Sequence, residues 1–252
     1  MESPITKEEL EKKIKAKENV SKVDTSEITD MDELFFMDII KQIYNVEKFN
    51  QPLNDWDVSN VKTMNRMFSH AKSFNQTLNE WDVSNVESME GMFSHATRFN
   101  QPLNDWDVSN VKNMGGMFTE TADFNQPLNE WNVSNVEKMF DMFKEAKSFN
   151  QPLNAWDVSK VTNMETMFAG AKSFNQSLNE WNVSNVKNMI WMFCNAKNYM
   201  GSMKDWKLNP ECTTYGLLRN CHLWFIFNTE NDLPLQDDKR TDMLDNRIWK
   251  LL

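Results

Sequence analysis

The residues able to do chemistry are few in this chain, and their spacing limits what that chemistry can be. His70 and His95 occupy equivalent positions of a repeat, and Cys212, Cys221 and His222 gather towards the C-terminus. Zinc is held by such ligands, but in paired short spacings; Cys-x8-Cys-His lacks that pairing, and neither His70 nor His95 has a third ligand at a dedicated spacing. A third set, Asp55, Glu80, Asp105, Glu130 and Glu180, recurs at one position of the repeat, with Asp205 after it and Ala155 interrupting it. Carboxylates stacked at roughly 5 Å repel one another, so this column must face solvent or be paired. It is either an acidic strip that attracts a basic partner or divalent cations, or a soluble edge that discourages aggregation. There is no Gly-rich phosphate loop, no HExxH and no G-x-S-x-G, so the reading is of no enzyme, no cofactor and no resident metal. The competing reading places a small metal-dependent module in residues 207–252, on Cys212, Cys221 and His222.

Composition narrows the partners. Lys and Arg number 27 against 37 Asp and Glu, a net charge of -10, which disfavours binding to nucleic acid phosphates and suits a basic or neutral protein partner. No run approaches the ~18 apolar residues of a membrane span. The three cysteines are too few for a disulfide framework and read as free thiols of a reducing compartment.

The elements that must position these residues announce themselves by period. Phe49, Phe74, Phe99, Phe124, Phe149 and Phe174 are each followed by Asn-Gln, and Tyr199 takes the next step of the same spacing. Trp56, Trp81, Trp106, Trp131, Trp156, Trp181 and Trp206 keep it too, as do valines from Val58 and Val61, methionines from Met64 and phenylalanines from Phe68. A degenerate copy precedes them, in which Asp24, Ser26, Ile28, Met31, Leu34 and Phe35 match Asp57, Ser59, Val61, Met64, Met67 and Phe68. The division predicted is an N-terminal surface helix or arm over 1–22, an entry repeat over 23–48, six full repeats and one partial over 49–206, and a C-terminal cap over 207–252. Thr6 and Glu9 make a capping-box pattern with Ile5 and Leu10 at staple positions, and Glu/Lys pairs at i,i+4 support a short helix there. Leu217, Leu218 and the run Leu223 to Phe227 supply apolar surface for the cap, which a repeat array needs at its ends.

Within one repeat, Leu53, Trp56 and Val58 follow L-x-x-L-x-L, which predicts a short strand with Trp56 and Val58 inward and Asp55 and Asp57 outward. Val61, Met64, Met67 or Phe68 and Ala71 recur at three or four residues, the face of a short helix. Phe74-Asn75-Gln76 closes the loop, with Pro102, Pro127 and Pro152 fixing the backbone in later copies. Stacked coils would align the Trp, Phe and Met into an apolar core, with Met as filler and Asn54, Asn60 and Asn75 bonding backbone in the turns. Asp57 alternates with Asn down its column, which marks an acceptor that caps a turn. Lys62 and Glu87 begin a column of alternating charge. His70 and His95 read as solvated surface groups. Phe140, Ile190 and Trp191 break an otherwise polar face, the kind of exposed aromatic that anchors an interface unless the cap folds over Ile190 and Trp191.

The repeat F-N-Q-x-L-x-x-W-[DN]-V-S-x-V-x-x-M-x-x-M-F-x-x-[AT], present six times between Phe49 and Ala196, closely resembles that of the BspA-like leucine-rich-repeat proteins. The resemblance implies a repeat solenoid, a leucine-rich-repeat-like right-handed coil of short parallel strands and short helices capped at both ends, with a role in adhesion or protein binding. Members are typically surface lipoproteins of bacteria such as mycoplasmas, with similar repeats in protists and large DNA viruses. The Glu- and Lys-rich first 22 residues show no signal peptide and no lipid-attachment Cys, so this member is expected to be not classically secreted, and intracellular or virion-associated. The function expected is a non-enzymatic protein-protein interaction or structural scaffold, of unknown oligomeric state, with adhesion or carbohydrate binding through the Asp-, Asn- and Trp-rich strand region as the alternative.

Overall fold

The computed structural model describes residues 3–36, 46–201, 203 and 205–221. It opens with a helix, α1 (Lys7–Lys15), capped by Thr6: the Thr6 hydroxyl accepts from the Glu9 amide, and the Glu9 carboxylate accepts from the Thr6 amide at 2.9 Å. This reciprocal box satisfies two amides that a helix start otherwise leaves open. The helix buries Leu10 and Ile14, and Ile5 just before it is also buried. The Ile5 amide donates to Asp24 O, and Lys7 pairs with Asp30 at 3.1 Å, which ties α1 to the entry copy.

From there the backbone repeats. Each inward residue accepts, through its carbonyl, a turn bond from the amide of the inward residue three positions on: Trp56 to Leu53 at 3.1 Å, Val61 to Val58 at 2.9 Å, Met67 to Met64 at 3.3 Å, Ala71 to Phe68 at 3.0 Å and Phe74 to Ala71 at 2.9 Å. One such circuit is a coil of corners, and consecutive coils register side by side. Parallel single-residue bridges join Asp30 to Thr63, then Thr63, Ser88, Asn113, Lys138, Asn163, Asn188 and Thr213 in succession. The first offset is 33 residues and the rest are 25, so the entry copy joins the same array despite its extra residues.

Coil-to-coil bonding is richest at positions 64 to 70. Amides of Met64, Arg66, Phe68 and His70 donate to carbonyls of Ser88, Glu90, Met92 and Ser94 at 2.7–3.0 Å, and the pattern recurs down to Met189, Trp191, Phe193 and Asn195 donating to Thr213, Tyr215, Leu217 and Arg219. Past Trp206, where the side-chain pattern dissolves, the backbone therefore holds the ladder through Arg219. Leu217, Leu218 and Cys221 are buried there, while His222, the run Leu223 to Phe227 and the tail from Ile248 to Leu252 lie outside the described residues.

The strand over 53–58 and the helix over 61–71 are not formed. Among the described residues regular structure within the repeats is confined to single bridges, and the only helices are α1 and the 3-10 turn Val46–Lys48. The reason is backbone handedness. Arg66 and His70, and their counterparts in the following coils, sit at φ between 52° and 69°, so right- and left-handed residues alternate and the chain turns corners where a helix would continue. Such corners bring every third residue inward, which reproduces the apolar spacing of a helix without its hydrogen bonds.

The interior is apolar and columnar. The Trp column from Trp56 to Trp206 is at most 7% exposed, and each indole N–H donates to a carbonyl of the preceding coil, as Trp81 does to Leu53 O at 2.9 Å. Phe68 stacks on Phe93 at 5.5 Å and on Phe74 at 4.2 Å, and the same pairings repeat to Phe193 and Tyr199. Asp55 and Asp57 face outward as their alternation with Trp56 and Val58 requires.

Candidate functional site

The polar columns are absorbed into turns. Asp57 accepts from the Ser59 amide at 3.0 Å, and Asp82, Asp107, Asn132, Asp157 and Asn182 do the same with their serines, which is why Asp and Asn interchange. Those serine contacts hold the Asp107 and Asp157 carboxyls below their ordinary range. Asn60 donates to Ser26 O at 2.9 Å, Asn75 accepts from the Asn100 amide at 3.0 Å, and Asn54 accepts from the Glu80 amide at 3.2 Å. In the charged column at position 62 the Glu87–Lys112 pair forms at 2.8 Å; its contact with Lys112 lowers the Glu87 pKa and raises that of Lys112.

The acidic strip is exposed along its length, at Asp55, Glu80, Asp105, Glu130 and Glu180. Among the described residues only Asp55 of this column has a basic partner, Lys22. Where Ala155 interrupts the strip, a shallow depression of about 550 Å³ is lined by Asn154, Ala155, Asp157, Glu180 and neighbours. The strip and the aromatics lie on different parts of the coil.

The histidines are not independent solvated groups. His70 and His95 stack at 4.3 Å and 8°, and His95 Nδ1 lies 3.1 Å from a Glu120 carboxylate oxygen. Burial, with His95 and Lys72 adding to it, lowers the His70 pKa. Cys212 and Cys194 are half-buried, and burial pushes both thiols up, Cys212 to about 11, so neither is poised as a nucleophile. The zinc reading depends on His222, which falls outside the described residues.

Phe140, Ile190 and Trp191 remain. Ile190 is half-buried, its amide donating to the Asn188 side chain at 3.0 Å. Phe140 is half-buried with its ring over Gly115 of the preceding coil, where a Cβ would collide with it. Trp191 is 40% exposed; it leans over Gly216 of the following coil and meets Tyr215 at 6.0 Å. Between them the intervening coil presents Thr166, Ala169 and Gly170, and the resulting notch encloses about 420 Å³. Asp141, from the Phe140 coil, accepts from the Thr166 hydroxyl and pairs with Lys144 at 3.2 Å, while the Glu145 carboxylate lies across Gly170, where no side chain could stand. Glu165 accepts from Asn188 at 2.9 Å. Thr166, Gly170 and Glu145 escaped sequence reading; the signal was there in Ala169-Gly170, a small pair on the one coil between two aromatic-bearing coils.

No curated protein and no solved structure matches the chain. One protein family does, three times over, at residues 6–129, 37–153 and 121–222, so the matches run across nearly all of the array just described. The chain belongs to that family, a repeat family whose description reads "Mycoplasma protein of unknown function, DUF285".

Proposed function

We propose that this chain is a non-enzymatic protein-binding or scaffold module, built as a BspA-like leucine-rich-repeat solenoid. What supports the architecture is the 25-residue registry of bridges, indole bonds and stacked rings, since each coil buries its apolar side only against its neighbours. A deletion of residues 99–123, one period, tests this: the shortened chain stays folded and loses length in solution scattering, whereas a deletion of residues 99–111 does not fold. Equal behaviour of the two deletions overturns the solenoid.

The observation that carries the binding role is Trp191, a large aromatic left open to solvent beside a notch while every Trp of the inner column is sealed. Exposed aromatics beside a concavity are the usual anchors of interfaces. The carbohydrate alternative relied on the Trp column for stacking, and that column is buried. In a test with the tagged full chain and an extract of its source cells, a stoichiometric protein partner is retained, is lost with Thr166→Arg, which fills the notch, and survives Lys172→Glu on exposed ground outside it. Retention by both variants, or no stoichiometric partner, defeats the proposal.

A further inference from the structure

We infer that the notch between Phe140 and Trp191 receives one cationic side chain, Lys or Arg, presented by a partner protein. The inference rests on the reading of the chain as a protein-binding module and names what that module recognises.

Three observations converge. First, Trp191 adopts φ 54°, a left-handed conformation that is costly for a bulky residue, at a position where Gly91, Gly116 and Gly216 stand in other coils. The array does not need an indole there; its backbone is equally served by glycine. Second, Glu145 holds φ 53° and lays a half-buried carboxylate across Gly170, with no ion-pair partner among the described residues. Its neighbours are already engaged: Asp141 by Lys144 and Thr166, Glu165 by Asn188. Third, the walls carry Asp141, Glu145 and Glu165 against Lys144 alone, with Arg219 standing beyond Cys194 at the far edge. An open indole and a carboxylate with no ion-pair partner among the described residues, lining one notch of about 420 Å³, suit a side chain with an apolar stem and a charged head. The cation gains the ring's quadrupole and a charge-assisted hydrogen bond, while its methylenes cover Ala169 and Phe140. An apolar partner side chain would leave Glu145 desolvated and unpaired, which penalises it.

The test uses the full chain, ¹⁵N-labelled, titrated with N-acetyl-arginine amide, N-acetyl-lysine amide and N-acetyl-norleucine amide. The Trp191 indole N–H resonance is assigned by its loss in Trp191→Phe. Both cationic probes are expected to move that resonance saturably in the millimolar range, and the norleucine probe is not. Glu145→Gln weakens the effect about threefold or more, as does Glu145→Gly, which the left-handed backbone favours; Glu80→Gln on the acidic strip leaves it unchanged. No saturable shift, an equal shift with norleucine, or an affinity in both Glu145 variants equal to that of the unaltered chain overturns the inference. The readout is direct binding of a small probe, so its failure leaves partner capture intact, and a lost partner leaves this titration intact.

Discussion

Trp181 and Trp191 stand on one coil and meet opposite conditions. Trp181 is 2% exposed, donates its indole N–H to Leu153 O at 2.8 Å and stacks on Trp206 at 6.4 Å. Trp191 is 40% exposed, lies in a left-handed backbone and has only Tyr215 as an aromatic neighbour among the described residues. Down the inner column every coil from Trp56 to Trp206 carries Trp, whose indole both fills the space and reaches the carbonyl of the coil before. Down the outer column Arg66, Gly91, Gly116, Asp141, Thr166, Trp191 and Gly216 share one backbone conformation with unrelated side chains. Stacking dictates the first column and leaves the second free to vary.

The sharpest way to break this contrast is truncation. Trp181→Ala removes a buried ring and strands a carbonyl, and should cost ~3–5 kcal/mol in chemical denaturation, whereas Trp191→Ala, at a residue 40% exposed, should cost ~1–2 kcal/mol. Comparable losses at both sites would end the distinction. The polar turns come next. Asn125 accepts from the Asn150 amide at 2.9 Å and from Gln151 Nε2 at 3.1 Å, so Asn125→Ala should destabilise by ~1–2 kcal/mol, read by the same denaturation midpoint. Trp191→Gly should be milder than Trp191→Ala by ~1 kcal/mol, because glycine relieves the left-handed strain that alanine keeps, while both give up the part of the ring packed over Gly216 and against Tyr215. A larger loss for glycine than for alanine would mean that the backbone at this site is not strained.

The smallest effect concerns pH. His70 is held below its ordinary pKa, so the unfolded chain binds more protons than the folded one, and stability rises with pH through the window below about 6.5. The groups facing His70 are His95, Lys72, Glu47 and Glu120. His70→Gln should flatten the loss of melting temperature between pH 7 and pH 5; an unchanged slope would place the proton elsewhere.

Much of this was legible in the sequence, for a physical reason. A stacked array makes the same demand of the same position every 25 residues, so Trp, Phe and Met report burial simply by recurring. Asp57, Asp82 and Asp107 giving way to Asn132 in the next coil likewise reports an acceptor. Thr6 and Glu9 spelled their capping box. The local conformation from Val61 to Ala71 was not legible, because corners built on three-residue turns bury the same positions as a helix. Nor does residue type betray the left-handed sites: glycine occupies some, but Arg66, Asp141, Thr166 and Trp191 occupy others, held there by coil-to-coil bonds. At the notch, the aromatics stood out as breaks in a polar face, while Glu145 looked like any surface carboxylate until Gly170 placed it.

The ladder at positions 64 to 70 has an electrical consequence. In the coils from Met64 to Asn195 four amides point towards the next coil, against one to three pointing back: that of Lys62 to Thr29 O with its successors, in some coils the equivalent of Ser73 to Glu47 O, and in one that of Lys138 to Lys112 O. Peptide dipoles aligned in this way add, as they do along a helix. Among the described residues the stack is thus a polarised object with a direction: its last described coil bears partial positive charge at the amides of Thr214, Gly216 and Leu218, and its entry coil bears partial negative charge at the carbonyls of Asp30, Asp32 and Leu34. The backbone alone favours an anion at the Thr214 end and a cation at the Asp30 end of the described array.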